Sequence, residues 1–263
     1  MNSTITKAKR YIALDELRGL LLISMMGYHL AWIAGDTFYN SHAALIEGLP
    51  LLWQEVTASG FIMLSGFCLR FSKNPYKRGL VVFLTGLMIT AVTLIATPQL
   101  PIIFGIFTFM GSAMLISTPL LDQFEDSPGF SFAYCLGIFL LTHKMYCGYI
   151  GVGDFKFAMP HEFYANWVTT YLGFPFDDFL SLDYFPIFPH ILVFWAGCFL
   201  YNLIINSSVM SRLEAPHCKF LEVLGKNSLI VYLVHFPIIL ALMLNEIPFP
   251  RYKKTVQTIL YAP

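Results

Sequence analysis

The chain has 263 residues, 57% of them hydrophobic and only 12% charged, and its 16 basic side chains balance 16 acidic ones. Soluble domains carry roughly 25% charged residues, so a mean hydropathy of +0.65 excludes an ordinary water-soluble domain, and the zero net charge gives no electrostatic case for nucleic-acid binding. The remaining class is all-α, a polytopic transmembrane helical bundle, read as one integral domain over residues 1–263 in contact with the lipid bilayer.

Apolar windows that suit a bilayer-crossing helix of ~20 residues run over 17–35, 52–71, 79–97, 102–122, 130–147, 185–206 and 224–244, which gives about seven helices. The runs are continuous rather than alternating, which favours helices over a barrel. Lys7, Lys9 and Arg10 precede the first window. That window is too long for a signal peptide, holds His29 and lacks a small-x-small cleavage site, so it reads as a retained first helix.

The first helix carries the densest polar pattern. Asp15 and Arg18 stand near its start and His29 lies eleven residues beyond Arg18. At roughly 100° per residue, eleven steps return to within about 20° of the starting direction, so guanidinium and imidazole share one face about 16 Å apart. Asp15 falls near the same stripe. Ionisable groups in a membrane helix face a partner or a polar cavity, and three on one face mark a functional site. The bland alternative is an interfacial Asp15/Arg18 pair at a helix end with His29 hydrogen-bonded inside the bundle.

Loop charges orient the chain. From a cytoplasmic N-terminus, alternation puts Lys7, Lys9, Arg10 and Arg18, then Arg70, Lys73, Lys77 and Arg78, then Arg212, Lys219 and Lys226 on the inner side. Lys144, Lys156, Arg251, Lys253 and Lys254 fall outside. The bulk of the basic residues thus obeys the positive-inside rule, as expected in the inner (plasma) membrane of a bacterium, although the C-terminal three run against it. The polar connection over 148–184, rich in Phe, Tyr and Asp, reads as an outer-face cap.

Further polar residues admit two readings each. Asp183 precedes a Tyr-Phe-Pro run, where it orients a histidine or a sugar, or, more simply, caps the next helix. Lys226 and Asn227, at the inner start of the last helix, bind a phosphate or serve as a positive anchor. His235 is a catalytic partner or a histidine bonded within the bundle. His143, His161, His190 and His217 read as interfacial or loop residues. The five cysteines are scattered, with no C-x-x-C, and read as small buried hydrophobes, so no metal site is expected. Gly60, Gly66, Gly79, Gly86, Gly105 and Gly111 read as close-packing positions between helices.

Several of these segments, in order, resemble one family. Arg10-Tyr-Ile-Ala-Leu-Asp15-Glu-Leu-Arg18-Gly19 with Met25-Met26 and His29 is similar to the opening of the heparan-alpha-glucosaminide N-acetyltransferase catalytic-domain family. Ser59-Gly60-Phe61 through Ser65-Gly66, Arg78-Gly79 through Gly86, and Phe104-Gly105-Ile106 through Gly111 resemble its next three helices. Asp183-Tyr184-Phe185-Pro186 and Leu224-Gly225-Lys226-Asn227-Ser228 through His235-Phe-Pro237 complete the likeness, from about residue 10 to 240. The first-helix Arg and His also resemble the type-3 membrane acyltransferases.

The resemblance implies a transmembrane acetyltransferase that takes acetyl-CoA from the cytoplasmic side and delivers the acetyl group to an amino sugar or other glycan acceptor outside. It implies a catalytic histidine, carried over to His29, with Asp183 and His235 as further catalytic candidates. The eukaryotic enzymes carry Asn where His29 stands and a histidine downstream, for which His42 is the nearest match. Bacterial relatives often have His in the motif that here ends in Thr108, which cannot take up a proton. An imidazole supplies the base or acyl carrier that a thioester transfer requires, and Arg18, with Asp15, Lys226 and Asn227 beside it, would hold the phosphates of coenzyme A. A proton-coupled transporter or permease is the competing reading, since buried Arg, Asp and His suit it equally. The ordered motifs and the lack of an inverted repeat favour the enzyme. Whether the chain forms a homo-oligomer is left open.

Overall fold

The computed structural model describes residues 10–39, 48–99, 101–125 and 127–246. Each of the seven apolar windows falls on helix, but the helices are uneven. α1 (Ile12–Tyr39), α2 (Gly48–Leu69) and α3 (Pro75–Ala96) are long, whereas α4 (Ile106–Ser117) has only 12 residues and passes into a 3-10 stretch, Thr118–Glu125. α5 (Pro128–Thr142) has 15. At 1.5 Å per residue these two reach about 18 and 22 Å, short of a ~30 Å hydrocarbon core. Among the described residues α3 and α7 (Ile187–Ile204) are both long and apolar enough to cross a membrane. Of the roughly seven expected spans, two thus meet both criteria among the described residues.

The 148–184 connection is not plain loop. It holds a hairpin of β1 (Tyr149–Val152) antiparallel to β2 (Phe155–Ala158), then α6 (Trp167–Leu172), whose N-terminus is closed by an Asn166/Thr169 capping box. The chain is therefore nearly, not strictly, all-α. After α7 come α8 (Ser208–Arg212), α9 (Lys219–Lys226) and α10 (Ser228–Glu246).

Local chemistry starts the helices. Asn74 accepts a 3.0 Å hydrogen bond from the Lys77 amide, and Pro75, with its fixed φ, occupies the first turn of α3. α7 is the centre of the packing: Val193, Phe194 and Cys198 are buried against Ile62 and Leu69 of α2, Phe109 and Ala113 of α4 and Cys135 of α5. Full burial of a Phe or Val side chain away from water stabilises by roughly 1.5–3 kcal/mol, and where the surround is lipid the gain comes from packing instead. A second cluster joins Leu14 of α1, Leu64, Phe67 and Cys68 of α2, and Met210 of α8. All five cysteines are free thiols; Cys68, Cys135 and Cys198 are buried, as expected of small hydrophobes. At Gly66, Gly86 and Gly111 a neighbouring backbone leaves no room for a Cβ, which bears out their reading as close-packing positions.

Two interrupted segments are tied together between the helices. The Leu182 amide donates to Pro101 O and the Phe185 amide to Phe104 O, at 2.9 and 2.8 Å. Ser181 Oγ accepts from the Ile103 amide and donates to its carbonyl. The non-helical stretch before α4 thereby pairs with the non-helical stretch before α7, and each satisfies the other's backbone.

Candidate active site

α1 presents Arg18, Leu22 and Met25 at helical spacing along one wall of a cavity of about 490 Å³. Phe61 and Ser65 of α2, Lys77, Arg78, Val81 and Val82 of α3, Ile106, Phe107, Met110 and Met114 of α4, and Ser228, Leu229 and Tyr232 of α10 form the rest, with Asn74 at the rim. Such a volume is that of a small-molecule site. Its middle is apolar. One end is cationic, with Arg18, Lys77 and Arg78 and no acidic side chain in the lining.

Arg18 is held in place from two sides. One Nη donates to Asp15 Oδ1 at 2.8 Å and the other to Cys68 Sγ at 3.3 Å. Asp15 also accepts two hydrogen bonds from Arg10, so its carboxylate is committed to two guanidinium groups and positions Arg18 rather than meeting a ligand. Arg78 forms no ion pair among the described residues, which leaves its charge facing the cavity. In sequence Arg78 counted as an orienting charge and as the start of the Arg78-Gly79 motif; its place on the Lys77–Val82 wall depends on how α3 packs.

α9 packs against the start of α1. Glu16 Oε1 accepts the His217 and Cys218 amides, both at 2.7 Å, and so caps α9 from α1. The two helices approach so closely that Gly19 faces the Leu221 backbone and Gly225 faces the Asp15 backbone, with no space for a Cβ at either. The Asp-Glu-x-Arg-Gly motif thus divides its labour: Asp15 aims Arg18, Glu16 caps α9, and Gly19 admits it. Lys226 is paired with Glu222, which also takes Lys219 at 3.0 Å. The hydrogen bond from Lys226, then that from Lys219, holds the Glu222 carboxyl below the usual range. Asn227 Nδ2 donates to Val223 O at 2.8 Å. Neither Lys226 nor Asn227 lines the cavity, whose basic lining residues are Arg18, Lys77 and Arg78.

The other end leads to paired imidazoles. Tyr232 lines the cavity and its ring stands 4.9 Å from that of His235. His235 stacks on His29, with centroids 5.6 Å apart and planes 15° from parallel. His235 Nδ1 lies 2.6 Å from Tyr232 O. A carbonyl only accepts, so Nδ1 carries the proton and Nε2 of the neutral ring carries the lone pair. His235 Nε2 and His29 Nδ1 are buried without a hydrogen-bond partner among the described residues. Buried polar atoms are normally satisfied, so two orphans on one stacked pair stand out among the described residues. Of the two residues eleven apart in α1, Arg18 lines the cavity and His29 belongs to the imidazole pair, while neither His29 nor His235 is in the lining.

The remaining candidates separate. His42 lies outside the described residues. Asp183 does not cap α7, whose N-cap is Pro186; its Oδ2 accepts the Ile106 amide at 2.9 Å, at the start of α4. A cap across 77 residues has no local signature. His190 stands within α7, not in a loop, with Nδ1 directed at Pro186 O at 3.2 Å and its ring among Phe109, Phe139 and Phe185.

The family model for heparan-alpha-glucosaminide N-acetyltransferase, catalytic, matches residues 10–237. The chain belongs to that family. The match contains every residue that lines the cavity, together with His29 and His235. The family is one of membrane acetyltransferases, so the paired imidazoles and the cationic cavity belong to a transferase fold. Neither the curated proteins nor the solved structures contain a match to the chain.

Proposed function

We propose that the chain transfers an acetyl group from acetyl-CoA to the amine of an amino sugar, with the donor bound in the cavity between α1, α3, α4 and α10. The observation that carries this reading is the polarity of that cavity: guanidinium groups at one end, an apolar waist, and unpartnered imidazole nitrogens beyond Tyr232 at the other. Guanidinium groups suit phosphates bidentately and stay charged. The apolar waist suits the thinner arm of the donor, and the thioester supplies an already activated carbonyl.

The chain's own residues then handle protons. An acceptor amine in its ammonium form gives one proton to His235 Nε2, and His29 stacked behind it shares the imidazole site. The freed nitrogen forms the C–N bond as the C–S bond breaks. Its remaining surplus proton goes to the departing thiolate, so the products are an N-acetyl sugar, a thiol and one proton released from the imidazole. A positioned base of this kind contributes about 10²–10⁴-fold. The loop charges support a cytoplasmic Arg18 end and an outer α6 cap, so that in this reading donor and acceptor meet from opposite faces.

The test is to incubate purified protein in lipid with radiolabelled acetyl-CoA and a panel of amino sugars. Label recovered on the sugar amine supports the reading. No label on any acceptor, with acetyl-CoA neither bound nor consumed, overturns it.

A further inference from the structure

A second, much smaller space lies behind the donor cavity. It has about 10 Å³, room for one water-sized group, and Phe107 and Tyr232 line both spaces. The far wall holds Thr108 and Asp183. Thr108 is 3% exposed and its Oγ1 has no hydrogen-bond partner among the described residues. An unsatisfied buried hydroxyl is destabilising. The Asp183 carboxylate accepts one hydrogen bond among the described residues, at Oδ2 from the Ile106 amide, and makes no ion pair there. Gly86 keeps the space open, since a Cβ on it would stand 2.6 Å from the Thr108 hydroxyl.

A carboxylate without a counter-ion and a hydroxyl without a partner, facing one space of the size of a single nitrogen, call for a compact cation with several N–H donors. Building on the proposed transfer reaction, we infer that Thr108 and Asp183 form the subsite for the ammonium group of the acceptor. Asp183 supplies the counter-charge and Thr108 Oγ1 accepts an N–H. The ammonium is thereby held beside Phe107 and Tyr232, which also line the donor cavity, before it surrenders its proton to the imidazole pair. The subsite selects amines over hydroxyls, because a neutral hydroxyl leaves the carboxylate without a counter-ion.

Two variants separate this from a structural role. Asp183→Asn keeps an oxygen to accept the Ile106 amide and so keeps the α4 cap, but loses the charge. Thr108→Val removes only the orphan hydroxyl and should leave the melting temperature unchanged or raise it. With glucosamine as probe, the KM for glucosamine should rise at least tenfold in Asp183→Asn and severalfold in Thr108→Val, while the KM for acetyl-CoA stays within twofold. Glucosamine should raise the melting temperature of the wild type, glucose should not, and the glucosamine shift should vanish in Asp183→Asn. An unchanged glucosamine KM and an unchanged thermal shift in both variants would overturn the subsite. If Asp183→Asn does not fold, an unchanged glucosamine KM in Thr108→Val overturns it alone. Wild type that transfers no label but shows the Asp183-dependent thermal shift defeats the transfer reading and leaves the subsite standing.

Discussion

Removing the charge of Arg78 gives the sharpest test of the cationic end. Arg18 is already neutralised by Asp15, which Arg10 shares, whereas Arg78 has no ion pair among the described residues and faces the same cavity. Arg78 should therefore contribute more to holding an anionic donor than Arg18 does. A hydrogen bond to a charged group is worth about 1.5–3 kcal/mol, and each 1.4 kcal/mol is tenfold in affinity. Arg78→Met, which keeps a long apolar stem against Val81 and Val82, should then raise the KM for acetyl-CoA by roughly 10- to 150-fold. Turnover at saturating donor should stay near wild type, since the imidazole pair is untouched. Arg18→Lys keeps the charge, loses the planar fork, and should raise the same KM by less. The assay is initial-rate kinetics with labelled acetyl-CoA, paired with calorimetric titration of donor onto each variant. A loss confined to turnover in Arg78→Met, with calorimetric affinity unchanged, would refute the assignment of this end to phosphate binding.

Three other outcomes are expected from the geometry. His235→Ala and His29→Ala should each lower turnover by about 10²-fold or more while the KM for acetyl-CoA holds; near-normal turnover in both would remove the imidazole pair from the chemistry. The folded-state carboxyl of Glu222 titrates below its ordinary range, so the clasp it makes with Lys226 and Lys219 is present above that range and is lost as pH falls through the depressed value. The melting temperature should fall more steeply on acidification in wild type than in Glu222→Gln, and parallel curves would contradict this. In a cysteine-free background, Asp154→Cys at the hairpin tip should react with a membrane-impermeant maleimide in intact cells while Lys73→Cys does not; the opposite pattern would reverse the orientation.

Periodicity in the chain reveals the features that local rules dictate and little else. The seven helical segments and the shared face of Arg18 and His29 depend on hydropathy and a 100° step, both written into neighbouring residues. The shortness of α4 and α5 is not, because the apolar windows run on through the 3-10 stretch and the turn that end them. Arg78 is indistinguishable in sequence from its neighbours Lys73 and Lys77 until α3 is packed on α4. Lys226 and Asn227 looked apt for phosphate because they flank a helix start, but Glu222 one turn earlier claims the lysine. The stacking of His29 on His235 joins residues 206 positions apart, and only the docking of α10 on α1 brings them together.

The hydrogen bond from the Ile106 amide to Asp183 has a consequence in biosynthesis. The two residues are 77 apart, and every partner of the 101–106 stretch within 181–185 also comes late. At ~5–20 residues per second, a ribosome needs about 4–15 s to add that length of chain. Throughout that interval the Ile106 amide lacks Asp183, and the non-helical stretch before α4 lacks its partners in 181–185. A nascent chain halted before residue 181 would expose that seam, whereas one released after 185 would close it, so the ordering of α4 is timed by the arrival of α7.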